Sequence, residues 1–218
     1  VEACGYEKAE DFYAFWGNRE MLPAIRAKLH PIAEQITEKL NIRVRPLDRA
    51  RFSDDVNTFL EIWNRSMTNH WGFEPMSSAE IKQAAQGLKW LIEPRLALAA
   101  EIDGKVVGVV FALLDFNPRI KKIDGRLFPF GLFRLLWNRR KIKSMRVLAA
   151  SVLPEYHLHG VGLVLIDGLV PASMEWGMLE AEFSWVGESN RLSRGSLEKG
   201  GARITKTYRV YERPDPRG

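Results

Sequence analysis

The chain has 218 residues, 46 % of them apolar, a formal charge of +5 and an isoelectric point near 9.4. That suits one ordinary domain plus some additional chain, and its sign suits an acidic ligand, nucleic acid or a membrane surface equally. Cys4 is the one cysteine, which rules out an internal disulfide and a cysteine metal site and makes a reducing, cytoplasmic setting the expectation. No apolar run has the length of a signal peptide core or a membrane span.

The sequence opens on Val1 rather than Met, as a fragment of a longer protein would. Val1-Glu-Ala-Cys-Gly5 followed by Phe12-Tyr-Ala-Phe15 is repeated near the other end as Leu197-Glu-Lys-Gly-Gly201 followed by Tyr208-Arg-Val-Tyr211. Both read as a helix end, a glycine cap and an aromatic strand. Residues 17–41 carry Leu22, Ile25, Leu29, Ile32, Ile36 and Leu40 at helical spacing, interrupted at Pro31. A strand is expected over 42–47, then a helix capped by Ser53 or Asp54 and carrying Val56, Phe59 and Ile62. Residues 69–75 form an aromatic loop. Ser77-Ser-Ala-Glu80 has capping-box form and starts a helix to about Leu91. An Asp103-Gly104 turn joins strands 96–102 and 105–114. Residues 118–143 are basic, aromatic and irregular. Strand 181–187, helix 190–199 and strand 203–212 close the chain.

Between them lies the most informative stretch, Ser151-Val-Leu-Pro-Glu-Tyr-His-Leu-His-Gly-Val-Gly162. Residues 146–153 are nearly continuous apolar residues, as in a buried strand, and Pro154 ends it. Gly160 and Gly162 then open an apolar helix over 163–176. A strand, a glycine turn and a helix N-terminus make an anion site, because the first N–H groups of the helix lack intrahelical partners. Phosphate or pyrophosphate is the natural ligand. Neither Gly-x-Gly-x-x-Gly nor Gly-Lys-Ser/Thr is present, so the dinucleotide and P-loop fingerprints are not met.

The stretch resembles the acyl-CoA signature of the GNAT superfamily of N-acyltransferases, a strand ending in Val-x-Pro followed by Arg/Gln-x-x-Gly-x-Gly/Ala. Val152 and Pro154 match the strand end; His157, Gly160 and Gly162 take the signature positions, with His157 replacing the usual Arg or Gln. The resemblance covers roughly 42–213, and the element order agrees. Residues 131–137 and 206–211 resemble a bacterial group with two GNAT-like halves. The resemblance implies an α/β (α+β) GNAT fold, with a mixed, mostly antiparallel sheet flanked by helices. It divides the chain into the tail of a preceding half (1–16), a helical connector (17–41), the GNAT domain (42–213, with insertion 118–143) and a tail (214–218).

It further implies acetyl-CoA, or coenzyme A, as cofactor and a small-molecule or peptide amine as acceptor, attacked directly in a ternary complex. The preceding half or a homodimer partner would be the protein partner; nucleic acid and membrane are not expected. CoA would lie on Ser151, Val152, Leu153, His157, Leu158, His159, Gly160, Val161, Gly162 and Asn190. The backbone near Ser151 or Val152 would polarise the thioester, and Asn190 would sit on the sulfur side. The family's usual tyrosine acid, seven residues after that asparagine, is Leu197 here. Tyr208, Tyr211 and Ser193 are the remaining acid candidates, and Glu188 and Asp115 the base candidates. His30, His70, His157 and His159 show no metal-ligand spacing, so no metal is expected. Trp71, Phe73, Trp137 and Trp185 read as core or pocket wall. A catalytically silent half that binds CoA or packs on its partner half, and a basic nucleic-acid or membrane-surface module, are the alternatives. For 118–143 the resemblance suggests a lid beside the acceptor end of the cleft or a packed helix, ahead of an interfacial helix.

Overall fold

The computed structural model describes residues 1–68 and 70–213. The tail expected at 214–218 lies outside the described residues. These form a seven-stranded sheet in the order β2-β3-β4-β5-β6-β1-β7. The strands are β1 (Glu7–Asn18), β2 (Arg43–Pro46), β3 (Ala97–Ile102), β4 (Lys105–Leu114), β5 (Ser144–Val152), β6 (Glu180–Gly187) and β7 (Arg203–Glu212). All neighbours are antiparallel except β5 and β6.

Residues 1–16, expected to end a preceding half, supply most of β1, which runs through to Asn18 inside this sheet, antiparallel to both β6 and β7. Phe15 and Ala14 are fully buried. Asp11 fixes the register against β7: it accepts from Arg209 at Nε (2.8 Å) and Nη2 (3.0 Å). That guanidinium holds the Asp11 carboxyl down to about 2.

Helices α1 (Leu22–Leu40) and α6 (Val161–Trp176) pack together on one face, and α2 (Phe52–Ser66) and α3 (Ser78–Leu88) belong to the other. Pro31 does not interrupt α1. The ring removes one hydrogen bond, but the helix continues because Ala33 and Ile36 pack into the core beside α6. Ser77 and Glu80 form the expected capping box of α3. Neither Ser53 nor Asp54 caps α2. Instead buried Asp55 accepts the Asp48 N–H (2.7 Å) and both ends of the Arg45 guanidinium (2.8 Å each), which ties the start of α2 to β2.

Insertion 118–143 is ordered. It holds α4 (Asn117–Lys122) and α5 (Gly131–Leu136). Arg119 donates to the carbonyls of Leu135 (2.8 Å), Trp137 and Asn138 (2.7 Å), so one buried-side cation closes the loop on itself.

Candidate active site

β5 and β6 pair in parallel only from Ser144↔Glu180 to Val147↔Phe183. A register shift opposite Phe111 and Ala112 leaves Leu148 as the extra residue in β5, and such a bulge bends a strand away from its neighbour. Beyond it the two strands diverge and open a cleft through the sheet. The cleft is a cavity of about 790 Å³, within the upper part of the ~300–1,000 Å³ range of small-molecule sites.

One mouth lies at the start of α6. Ser151, Val152, His157, Gly160 and Gly162 line it. Leu153 donates its N–H to Val107 of β4 and Ser151 pairs with Val109, so alternation turns the N–H groups of Ala150 and Val152 toward the splayed side. Of the two residues expected to hold the carbonyl donor, Val152 is therefore the one whose N–H faces the cleft. His157 Nε2 is committed to the Val152 carbonyl (2.7 Å). The N–H groups of Gly160, Val161 and Gly162 have no protein acceptor among the described residues. That arrangement fits a phosphate group.

The two glycines differ in what they do. Gly160 sits in the left-handed region at φ 77°, and a Cβ there would run into Ile36 of α1. Its requirement is structural. Gly162 lies in the first turn of α6, and a Cβ would meet only Val152 Cγ2, at 3.8 Å. Gly162→Asp therefore tests the anion site cleanly: a carboxylate in the first turn favours the helix and opposes a phosphate. Acyl-CoA affinity is expected to fall at least tenfold, read by calorimetry, with the melting temperature kept. An unchanged affinity would remove the pyrophosphate from this turn.

The other expected contacts are placed less directly. Leu153 and Val161 are core residues, and Leu158 is 91 % exposed. His159 stacks near Tyr156. None of these three positions after Val152 lines the cavity with its side chain, nor does Leu153. Asn190 does. It caps α7 (Arg191–Lys199): its Oδ1 accepts the Ser193 N–H at 3.1 Å. That fixes the amide, so Nδ2 faces His70 Nε2 at 3.2 Å and His70 must accept there. In the neutral ring the proton then sits on Nδ1, which is buried and has no partner among the described residues. His70 lines the cavity.

The catalytic candidates Glu188 and Tyr208 lie off the cavity, as do Tyr211 and Asp115. Glu188 is ion-paired to Lys8. Tyr208 is on β7, one strand beyond β1, with its ring against Trp185 at 6.2 Å. Two carboxylates do reach the cavity: Glu180 at the start of β6, which accepts from the Trp16 indole (2.8 Å), and Glu10 of β1, which is 8 % exposed. Its Oε1 accepts the N–H and hydroxyl of Ser189, each at 2.9 Å, and Oε2 has no protein partner among the described residues. Phe12, Trp63, Trp71 and Phe73 wall the same side. The expected lid does not occur: no residue of 118–143 lines the cavity. Nor is any group of three His, Cys, Asp or Glu side chains among the described residues arranged for a metal ion.

A structure of a GCN5-related N-acetyltransferase from Sphaerobacter thermophilus superposes with a TM-score of 0.61 at 14 % identity, over 96 % of this chain and 53 % of that one. The GCN5-related glucosamine N-acetyltransferase region of a fungal multi-domain β-N-acetylglucosaminidase gives 0.59 at 12 % identity, over 96 % and 22 %. The chain has the GNAT fold. In this GNAT sheet β1 comes from the N-terminal side and fills the place between β6 and β7. No family model matches the chain. A protein of Caulobacter vibrioides named bacterial ceramide synthase is 34 % identical over 222 residues, 98 % of this chain and 56 % of that protein. Protein YghO of Escherichia coli is 32 % identical over 219 residues, 98 % and 55 %. The chain spans about half the length of the curated relatives it matches.

Proposed function

We propose that the protein is an acyl-CoA-dependent N-acyltransferase that moves a long acyl chain, rather than acetyl, onto the amine of a long-chain amino alcohol. One observation carries the reading. The cavity does not stop where β5 and β6 meet but continues between α1 and α6, along Leu22, Ile25, Ile166, Leu169 and Val170 to Met178. An acetyl group needs no such space, whereas each methylene buried there contributes about 0.8 kcal/mol. The name of the Caulobacter relative supports the same chemistry, since a ceramide is the amide of a long-chain amino alcohol. The greater length of both relatives is compatible with a preceding GNAT-like half that would run directly into β1.

In this reading the Val152 N–H polarises the thioester carbonyl. Glu10 takes a proton from the acceptor's ammonium through Oε2. The amine then attacks the acyl carbon, the C–S bond breaks, and the proton lost by nitrogen is matched by one gained by the CoA thiolate. Glu10 supplies the carboxylate that β5 lacks, which argues against a silent half.

The test is thiol release and amide formation with acyl-CoAs of two to sixteen carbons and a long-chain amino alcohol. Val170→Trp fills the channel below the splay. It should lower kcat/KM for the sixteen-carbon donor at least tenfold and leave two- to four-carbon donors little changed, at an overpacking cost of about 1–3 kcal/mol. A wild-type enzyme that prefers acetyl-CoA would refute the long-chain assignment.

A further inference from the structure

Residues 117–143 carry nine lysines and arginines against one carboxylate, Asp124. Their inner side is anchored. Leu135 and Ile142 are buried, Arg139 donates to the Trp90 carbonyl (2.9 Å), and Lys143 donates to that of Trp176 (3.0 Å). Their outer side is apolar. Leu127, Phe128, Phe130, Leu132, Phe133 and Trp137 are 52, 89, 68, 52, 60 and 62 % exposed. Around them Lys121, Lys122, Arg134 and Lys141 are exposed, with no side-chain hydrogen bond or ion pair among the described residues. A patch of this kind on a soluble surface marks an interaction site.

We propose that this face docks on the surface of an anionic lipid bilayer. Rings and leucines flanked by uncommitted cations match the boundary between acyl chains and anionic headgroups. A second copy is disfavoured because two such faces would repel. Leucines among the rings suit acyl chains better than stacked bases. Docking is peripheral, as no helix among the described residues is long and apolar enough to cross a membrane. This proposal departs from the expectation of no membrane contact. The end of the segment also adjoins the cavity: Leu179, which lines it, donates its N–H to the Lys143 carbonyl at 2.7 Å. Only this last point, delivery of lipid to the channel, rests on the function proposed above.

Co-sedimentation with phosphatidylcholine vesicles, with and without phosphatidylglycerol, tests the docking. Binding should require the anionic lipid and weaken with salt. Lys121→Glu with Lys122→Glu should reduce it about 25-fold or more, at about fivefold for each cation, the equivalent of about 1 kcal/mol. Phe128→Ser with Phe133→Ser should abolish it. All four residues are exposed, so melting temperatures should not move. Equal binding to neutral vesicles, binding indifferent to these variants, or binding to single-stranded DNA and not to vesicles would overturn the proposal. Vesicle binding without acyl transfer would sink the function and leave the docking. Acyl transfer in detergent without vesicle binding would do the reverse.

Discussion

Glu10→Gln lowers kcat by about 10²–10⁴-fold, the range for loss of a positioned general base. Glutamine keeps an acceptor oxygen for the Ser189 N–H and hydroxyl, so the melting temperature should stay close to that of the parent. Single-turnover measurements separate chemistry from binding: the acyl-CoA dissociation constant should be unchanged, because Glu10 lies on β1 and the anion site on α6. Glu188→Gln and Tyr208→Phe should retain most of the activity, since neither residue lines the cavity. Asn190→Ala should fall between, losing about 1 kcal/mol of helix cap and releasing His70 from its tautomer. Full activity in the Glu10 variant, with loss in that of Glu188 or Tyr208, would move the proton acceptor away from β1.

Deleting residues 1–18 should leave no cooperatively folding protein. The expected loss is larger than the ~5–15 kcal/mol that stabilises a typical domain. β1 is paired on both edges, and β7 has no other strand to pair with among the described residues. Removal strips both ladders and exposes the β6 edge. Phe15→Ala is the milder version and should cost about 3–5 kcal/mol, because Phe15 is fully buried. Far-ultraviolet circular dichroism and thermal melts give the readout. A peptide of residues 1–20 added to the truncated chain should restore a melt by strand addition. A truncated chain that melts at the parent's temperature would show that the strand is dispensable.

Local pattern made much of the molecule legible. The alternation and turn chemistry of β3 and β4, with Asp103 and Gly104 both at positive φ, the capping box at Ser77, and the strand, turn and helix from Ser144 to Trp176 all follow from neighbours in sequence. The place of β1 does not. Its aromatics announce a strand, but only partners near the other end of the chain decide that it lies inside the sheet. Glu10 was hidden for the same reason: a carboxylate in an assumed tail is not a cleft residue until that tail becomes the strand beside β6. His70 sat in a stretch rich in aromatics, where a buried ring nitrogen cannot be told from a solvated one. Gly160 looked like a ligand-facing glycine, and the helix it accommodates, α1, lies more than a hundred residues earlier. Insertion 118–143 was recognisable as basic and aromatic. Which side of it faces outward is a tertiary fact.

The position of β1 also governs when the protein can become itself. Glu7 pairs with Glu212, and Phe12 with both Gly187 and Tyr208. Contacts that span nearly the whole chain close late, because loop entropy is spent before they form. A ribosome must therefore release almost all of this sequence before the sheet can be completed, although the strand that completes it is made before the other six. Until then the β6 edge is open to other chains. Glu10 reaches the cleft only with that last closure, so a half-made sheet presents the glycine turn proposed to hold phosphate without the carboxylate proposed to accept the proton.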